Sequence, residues 1–256
     1  EILNGIYDSS IFYFEVKPFE MDSLLTFSNS GITLDGTLHT AEIFPPLELT
    51  FNLMDDYIMG FNKESVSSTI YQGKARYDDQ LSLSSKGLIG KGKLSFLTSS
   101  GYSKKITFFP DSMVAKTGQY TNKSQTLPSV PEIVADNCFI TFQPHKGIWK
   151  ASNIDSLMYI FGDDISRYGG EVTLTKSGMV GSGEFTSNRI LVNSEDYKFG
   201  QNKLEAGVAA FTLKGIEEND PPSLEAKNMK MNLDFEKREG NFKSNTGTSV
   251  IDFPLN

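Results

Sequence analysis

The chain has little of what anchors most functional arguments. Among 256 residues there are one cysteine, one tryptophan and two histidines. A lone cysteine, Cys138, rules out an internal disulfide, so the fold does not depend on an oxidising compartment, and a single thiol is compatible with a bacterial envelope protein. The histidines, His39 and His145, lie far apart in the sequence and are too few to supply a histidine-rich zinc site of three or four ligands. No stretch approaches the roughly eighteen continuous apolar residues that a membrane-spanning helix needs. Positive charge is scarce, with 24 Lys and Arg against 32 Asp and Glu and a formal charge of −8. The basic residues are scattered singly, so nothing offsets repulsion from phosphate backbones or anionic membrane surfaces, and nucleic acid is not an expected partner. Helical periodicity is weak everywhere.

What is abundant favours strands and turns: 19 Phe, 22 Gly and 10 Pro. The length allows one large β domain or two smaller ones, either able to bury a sizeable core. Period-two alternation is cleanest in Met229-Lys230-Met231-Asn232-Leu233-Asp234-Phe235, which predicts a strand with one buried face. Asp35-Gly36, between Ile32-Thr33-Leu34 and Thr37-Leu38-His39, predicts a two-residue hairpin. Lys176-Ser177-Gly178 and Asn245-Thr246-Gly247 predict turns, Asn219-Asp220-Pro221-Pro222 predicts a loop, and Lys116 to Pro131 is the most loop-like segment. The chain opens at Glu1 without an initiator methionine and closes on Ile251-Asp252-Phe253-Pro254-Leu255-Asn256, and it reads as a piece of a larger protein.

An offset of 91 residues brings two parts of the chain into register. GLIGKG (87–92) falls on GMVGSG (178–183), and Ser103, Ile106, Phe108, Met113, Ala115 and Tyr120 fall on Ser194, Tyr197, Phe199, Leu204, Ala206 and Phe211. Ala135 and Asn137 fall on Ala226 and Asn228, after which a two-residue insertion aligns Phe142, Gly147 and Trp149-Lys150 with Phe235, Gly240 and Phe242-Lys243. The expected fold is therefore all-β, mainly antiparallel stacked strands in an elongated sandwich or β-solenoid made of two related units. Residues 1–165 hold an N-terminal β region with the first unit, and 166–256 the second, packed continuously on it.

The G-L-x-G-x-G turn, the strands after it and the A-x-N…F-x-x-x-x-G-x-[WF]-K unit resemble the large repetitive cell-envelope proteins of Bacteroidetes. More distantly, the strand-and-glycine rhythm is similar to the β-jellyroll solenoids of the lipopolysaccharide-transport bridge family, which hold acyl chains in an apolar trough. The resemblance implies a bacterial cell-envelope or extracellular location, and lipid, glycan or another envelope protein as partner. It transfers no functional residue.

Chemical motifs are few. Gly87, Gly92 and Lys93 match the outline of a phosphate-binding loop, but Leu94 stands where a magnesium-binding hydroxyl belongs and the second copy has Glu184 at the lysine position. A strand-connecting glycine turn is the expected role. Cys138 and His145 could meet as thiol and base, yet Cys138 falls on Met229, as a small core residue would. The acidic pairs Asp55-Asp56, Asp78-Asp79 and Asp163-Asp164 could bind calcium or act as the two carboxylates of a glycosidase, although adjacent acids in turns are usually solvated. Tyr57, Tyr71, Trp149, Tyr159 and Tyr168 lie near turns, either as a sugar-stacking face or as core; Trp149 falling on Phe242 favours core. Asn122-Lys123-Ser124 fits the glycosylation sequon. No catalytic or metal-ligating residue and no cofactor is nominated. The function expected is a non-catalytic structural or ligand-binding module, the alternative a carbohydrate-active enzyme on a β-sandwich.

Overall fold

A computed structural model describes residues 7–18, 33–55, 58–215 and 221–255. These residues contain no helix. The strands are β1 (Phe12–Val16), β2 (Thr33–Thr40), β3 (Leu47–Leu53), β4 (Met59–Ile70), β5 (Ala75–Ser84), β6 (Gly87–Phe96), β7 (Ser99–Phe108), β8 (Met113–Asn122), β9 (Gln125–Thr126), β10 (Ser129–Val130) and β11 (Ile133–Gln143). They continue as β12 (Ile148–Asn153), β13 (Met158–Ile160), β14 (Arg167–Thr175), β15 (Gly178–Ser187), β16 (Ile190–Phe199), β17 (Lys203–Leu213), β18 (Leu224–Asp234), β19 (Glu239–Ser244) and β20 (Val250–Pro254). Pairing is antiparallel and follows chain order, as in β1–β2–β3–β4–β5–β6 and β14–β15–β16–β17–β18–β19–β20.

The chain divides into two compact units, one of residues 1–96, 102–116 and 141–146, the other of 97–101, 117–140 and 147–256. Strands β7, β8 and β11 give residues to both. Position 165/166, where the sequence reading parts its two regions, falls inside the second unit just ahead of β14.

Alternation alone cannot keep a ten-residue strand facing one core once the strand bends. In β7 the inward residues are Ser99, Gly101, Ser103, Ile106 and Phe108, with two exposed residues, Lys104 and Lys105, between the halves. The extra residue resets the parity, as a β-bulge does. β16 repeats the pattern at Ile190, Val192, Ser194, Tyr197 and Phe199. A serine satisfies the break in each: Ser103 Oγ accepts from Lys105 N at 3.1 Å and lies 2.6 Å from Lys116 O, and Ser194 Oγ accepts from Asp196 N at 3.2 Å and lies 2.7 Å from Val208 O. Asn137 and Asn228 bend β11 and β18 in left-handed conformations, φ 52° and 54°, which asparagine tolerates better than most residues.

Several strand glycines serve close approach rather than turning. The turn before β6 is at Ser85-Lys86, and Gly90 and Gly92 lie within the strand, which corrects the reading of GLIGKG as a connecting turn. A Cβ on Gly90 would meet the Tyr77 hydroxyl at 2.6 Å and the Phe108 ring at 2.9 Å; on Gly181 it would meet the Tyr168 hydroxyl at 2.8 Å and the Phe199 ring at 2.9 Å. Asp35-Gly36 likewise makes no hairpin, because β2 runs straight through it with Gly36 paired to Val16 on one side and Leu49 on the other. A Cβ there would collide with the Glu15 carbonyl oxygen, so neighbouring backbone demands the glycine.

Lys116 to Pro131 is also more regular than expected. Its first part belongs to β8, and the remainder forms the small β9–β10 hairpin. The turns at Lys176-Ser177 and Asn245 to Gly247 are where the sequence places them. Pro221-Pro222 lies outside regular structure, while Ile32, Asp56, Tyr57, Asn219 and Asp220 lie outside the described residues.

Strand bounds refine the 91-residue offset. β6 and β15, β7 and β16, β11 and β18, and β12 and β19 differ by 91 at both ends, so no two-residue insertion is needed. Asn137 O accepts from Ile154 N, and Asn228 O from Asn245 N, both at 3.1 Å. Sequence matching aligned Trp149 with Phe242 because both are aromatic. In the structure Trp149 stands at the place of Gly240 and Ala151 at that of Phe242, the bulk having changed places between adjacent inward positions. The space left at Gly240 is filled by Phe253 of β20, whose ring lies where a Cβ on that glycine would be.

Candidate functional site

Two tight turns of the first compact unit frame a groove that holds both histidines. After β2, Thr40 Oγ1 accepts from Phe44 N at 2.8 Å and lies 3.0 Å from Phe44 O, closing a turn in which Ala41 and Glu42 are left-handed, φ 52° and 64°. After β4, Tyr71 and Gln72 are left-handed, φ 53° and 59°. Tyr71 N donates to Ile43 O at 2.8 Å and Gln72 Nε2 to Glu42 Oε2 at 2.6 Å, so each turn braces the other. The Tyr71 hydroxyl is held beside Phe109 O and Ser112 O. Burial pushes its pKa far above the ordinary tyrosine range, so the phenol is a donor and not a base. Four non-glycine residues in this conformation cost on the order of 1 kcal/mol each, and such outliers concentrate at functional sites.

The groove between these turns encloses about 550 Å³, within the range of small-ligand sites. His39 reaches it from β2 and stacks on Tyr13, its cross-strand partner in β1, with ring centroids 4.5 Å apart and planes at 15°. His39 Nε2 is 3.5 Å from Glu15 Oε2, is closed off from solvent, and has no hydrogen-bond partner among the described residues. His145, Lys74, Phe44 and three prolines, Pro46, Pro110 and Pro144, complete the lining. Sequence reasoning separated His39 from His145, yet the fold sets both histidines on one groove. They do not make a metal centre: among the described residues no group of three His, Cys, Asp or Glu side chains is placed to hold an ion.

The other candidates resolve individually. Cys138 is buried, and burial, with the charge of Asp136, pushes its thiol up to about 12; it belongs to the second compact unit and His145 to the first. Asp78 is held below the ordinary carboxylate range by Ser67 and Arg76. Asp163 accepts from Ile165 N, Ser166 N and Ser166 Oγ, so it shapes its own turn. Tyr71, Trp149 and Tyr168 are core, while Tyr159 is exposed with the Arg167 guanidinium 3.7 Å above its ring. Asn122 of the sequon is buried and donates to Pro131 O at 2.6 Å. Gly87 opens a strand, not the helix that a phosphate loop leads into.

Carboxylates do gather in a second groove, in the other compact unit, where Asp234, Glu239 and Asp252 lie near Lys203, Lys237 and Arg238. Asp234 pairs with Lys203 at 3.2 Å, and the Lys237 amide together with that lysine lowers its pKa. A glycosidase acid needs the opposite shift.

No protein-family profile matches the chain, and comparison with curated proteins and with solved structures yields no match.

Proposed function

We propose that the chain is a non-catalytic structural and ligand-binding module of a larger cell-envelope protein. Its strands stack as a sandwich or solenoid of units related at 91 residues, and its ligand site is the groove that His39 and His145 share. The matching environments of Tyr77 and Tyr168, of Ser103 and Ser194 and of Asn137 and Asn228 support the repeated scaffold.

One observation carries the binding role. The groove brings imidazoles, an ammonium and an exposed tyrosine ring to a strained rim, while Glu42, the carboxylate among its described lining residues, is held by Gln72, and Glu15 stands at its edge beside His39. That set suits recognition of a polar, sugar-sized group with an apolar face. An interior filled with aromatic rings argues for a ligand held at the surface of the module rather than along an internal acyl trough.

Native mass spectrometry of the protein recovered gently from its own envelope tests this. A stoichiometric glycan adduct that disappears in Tyr13→Ala and His145→Ala is the expected result. Bare protein under conditions that preserve known complexes, or an adduct indifferent to both substitutions, overturns it.

A further inference from the structure

The second compact unit contains the same strand edge twice, once covered and once, among the described residues, open. The first four residues of β11 lead from Ile133 to the left-handed Asn137, and β13 pairs with them, Ile133 opposite Ile160 and Val134 opposite Tyr159. Ile133 and Ala135 are buried beneath this short strand. Ninety-one residues on, the corresponding edge of β18 leads from Leu224 to the left-handed Asn228, and Asn228 is bonded to Asn245 as Asn137 is to Ile154. β19 takes β18 only from Met229 onward. β20, which comes where the counterpart of β13 would stand, pairs with β19 instead, anchored by Phe253 over Gly240. Leu224 is left 39% exposed where Ile133 is fully covered. Beside it opens an apolar groove of about 500 Å³ walled by Phe211, Leu213, Leu224, Ile251, Phe253 and Leu255.

We propose that this edge accepts an added β-strand: an extended polypeptide segment with apolar residues at alternate positions, bound antiparallel along residues 224–227 as Met158-Tyr159-Ile160 is bound along β11. The occupant is fixed by the covered copy of the same edge. An exposed strand edge offers unmet backbone donors and acceptors, and the neighbouring groove supplies room for every second side chain. Arg189, also in the lining, donates to Lys214 O and Ser223 Oγ. The inference rests on the correspondence at 91 residues and not on the histidine groove in the other compact unit.

The probe is a labelled peptide of residues 155–168 of this chain, which contains Met158-Tyr159-Ile160, titrated into the intact protein and followed by fluorescence anisotropy and by hydrogen exchange. Saturable binding, slower exchange at residues 224–227, and at least a tenfold loss of affinity in Leu224→Lys are expected. A scrambled peptide should not bind. Absence of saturable binding, protection elsewhere, or binding unchanged in Leu224→Lys overturns the proposal. Leu224 is exposed, so its substitution leaves the fold intact, and a circular dichroism spectrum matching the parent confirms that the loss is one of binding. Retention of a native ligand by the histidine groove is read separately, so either reading can fail without the other.

Discussion

Tyr77 and Tyr168, 91 residues apart, place their hydroxyls alike: the first beside Gln80 O and 3.2 Å from Lys91 O, the second 3.0 Å from Glu171 O and 2.7 Å from Ser182 O. Each ring is edge-on to a phenylalanine with centroids 5.3 Å apart, Phe108 and Phe199 respectively. Each hydroxyl sits over a strand glycine, Gly90 or Gly181. A buried phenol that bonds across its own hairpin fixes both the register of the pair and the depth of the ring.

Gly90→Ala and Gly181→Ala should each destabilise the fold by about 1–3 kcal/mol, because the new methyl meets a bonded hydroxyl and a packed ring and, at Gly181, the Glu171 carbonyl oxygen as well. Gly118, exposed in β8 with open space where a Cβ would stand and an ordinary backbone conformation, is the control. Urea denaturation should show Gly118→Ala within about 0.5 kcal/mol of the parent. Equal losses at all three glycines would refute the packing account.

Tyr168→Phe removes a donor from two strand carbonyls while keeping the ring, and it should cost about 1 kcal/mol. Tyr77→Phe should cost a similar amount, and the double variant should lose the sum, since the two sites share no partner. The measurement is the midpoint shift in denaturant at constant slope.

Alkaline pH should unfold the protein cooperatively. Burial raises the pKa of Tyr71, Tyr77, Tyr120, Tyr168 and Tyr197, and of Cys138, above the values of the unfolded chain. The native state therefore holds protons that the unfolded state releases. The stability that the tyrosines contribute is complete below pH about 10 and falls as pH rises above it. Phenolate absorbance from these rings should appear together with the loss of the strand circular dichroism signal. Titration of all ten tyrosines near pH 10 with the fold intact would contradict this.

Cys138 should be inert to a disulfide exchange reagent at pH 8 and should react at once in urea, since a thiol at about 12 leaves very little thiolate. Rapid labelling of the native protein would place the thiol somewhere other than the core.

Asn137→Val and Asn228→Val should each destabilise by about 1–2 kcal/mol, because a β-branched residue cannot adopt the left-handed conformation cheaply. Glycine at the same positions should be tolerated. Thermal midpoints of the four variants decide it.

Strand content and the buried face of Met229 to Leu233 were legible because alternation is a property of nearest neighbours, and period two is written directly into the sequence. The offset was legible for the same reason wherever inward residues kept their size. It failed at Trp149, where bulk moved from one inward position to the next and the matching aromatic was no longer the equivalent residue. Gly36, Gly90 and Gly92 misled because a glycine required by an approaching backbone or ring looks, in one dimension, like a glycine required by a turn. The histidine groove left little signal: Gly73 marks the turn after β4, but neither Ala41-Glu42 nor Tyr71-Gln72 is a typical left-handed pair, and the bonds that hold them, through Thr40 and from Tyr71 to Ile43, join residues that the sequence does not relate.

The ladders described join strands that are neighbours, or next neighbours, in chain order. Each newly made strand thus finds its partner already present and needs only a short loop to reach it, so ordering entropy is met in small increments. Ordering of these ladders can therefore advance along the chain hairpin by hairpin, each added strand closing on the one made just before it.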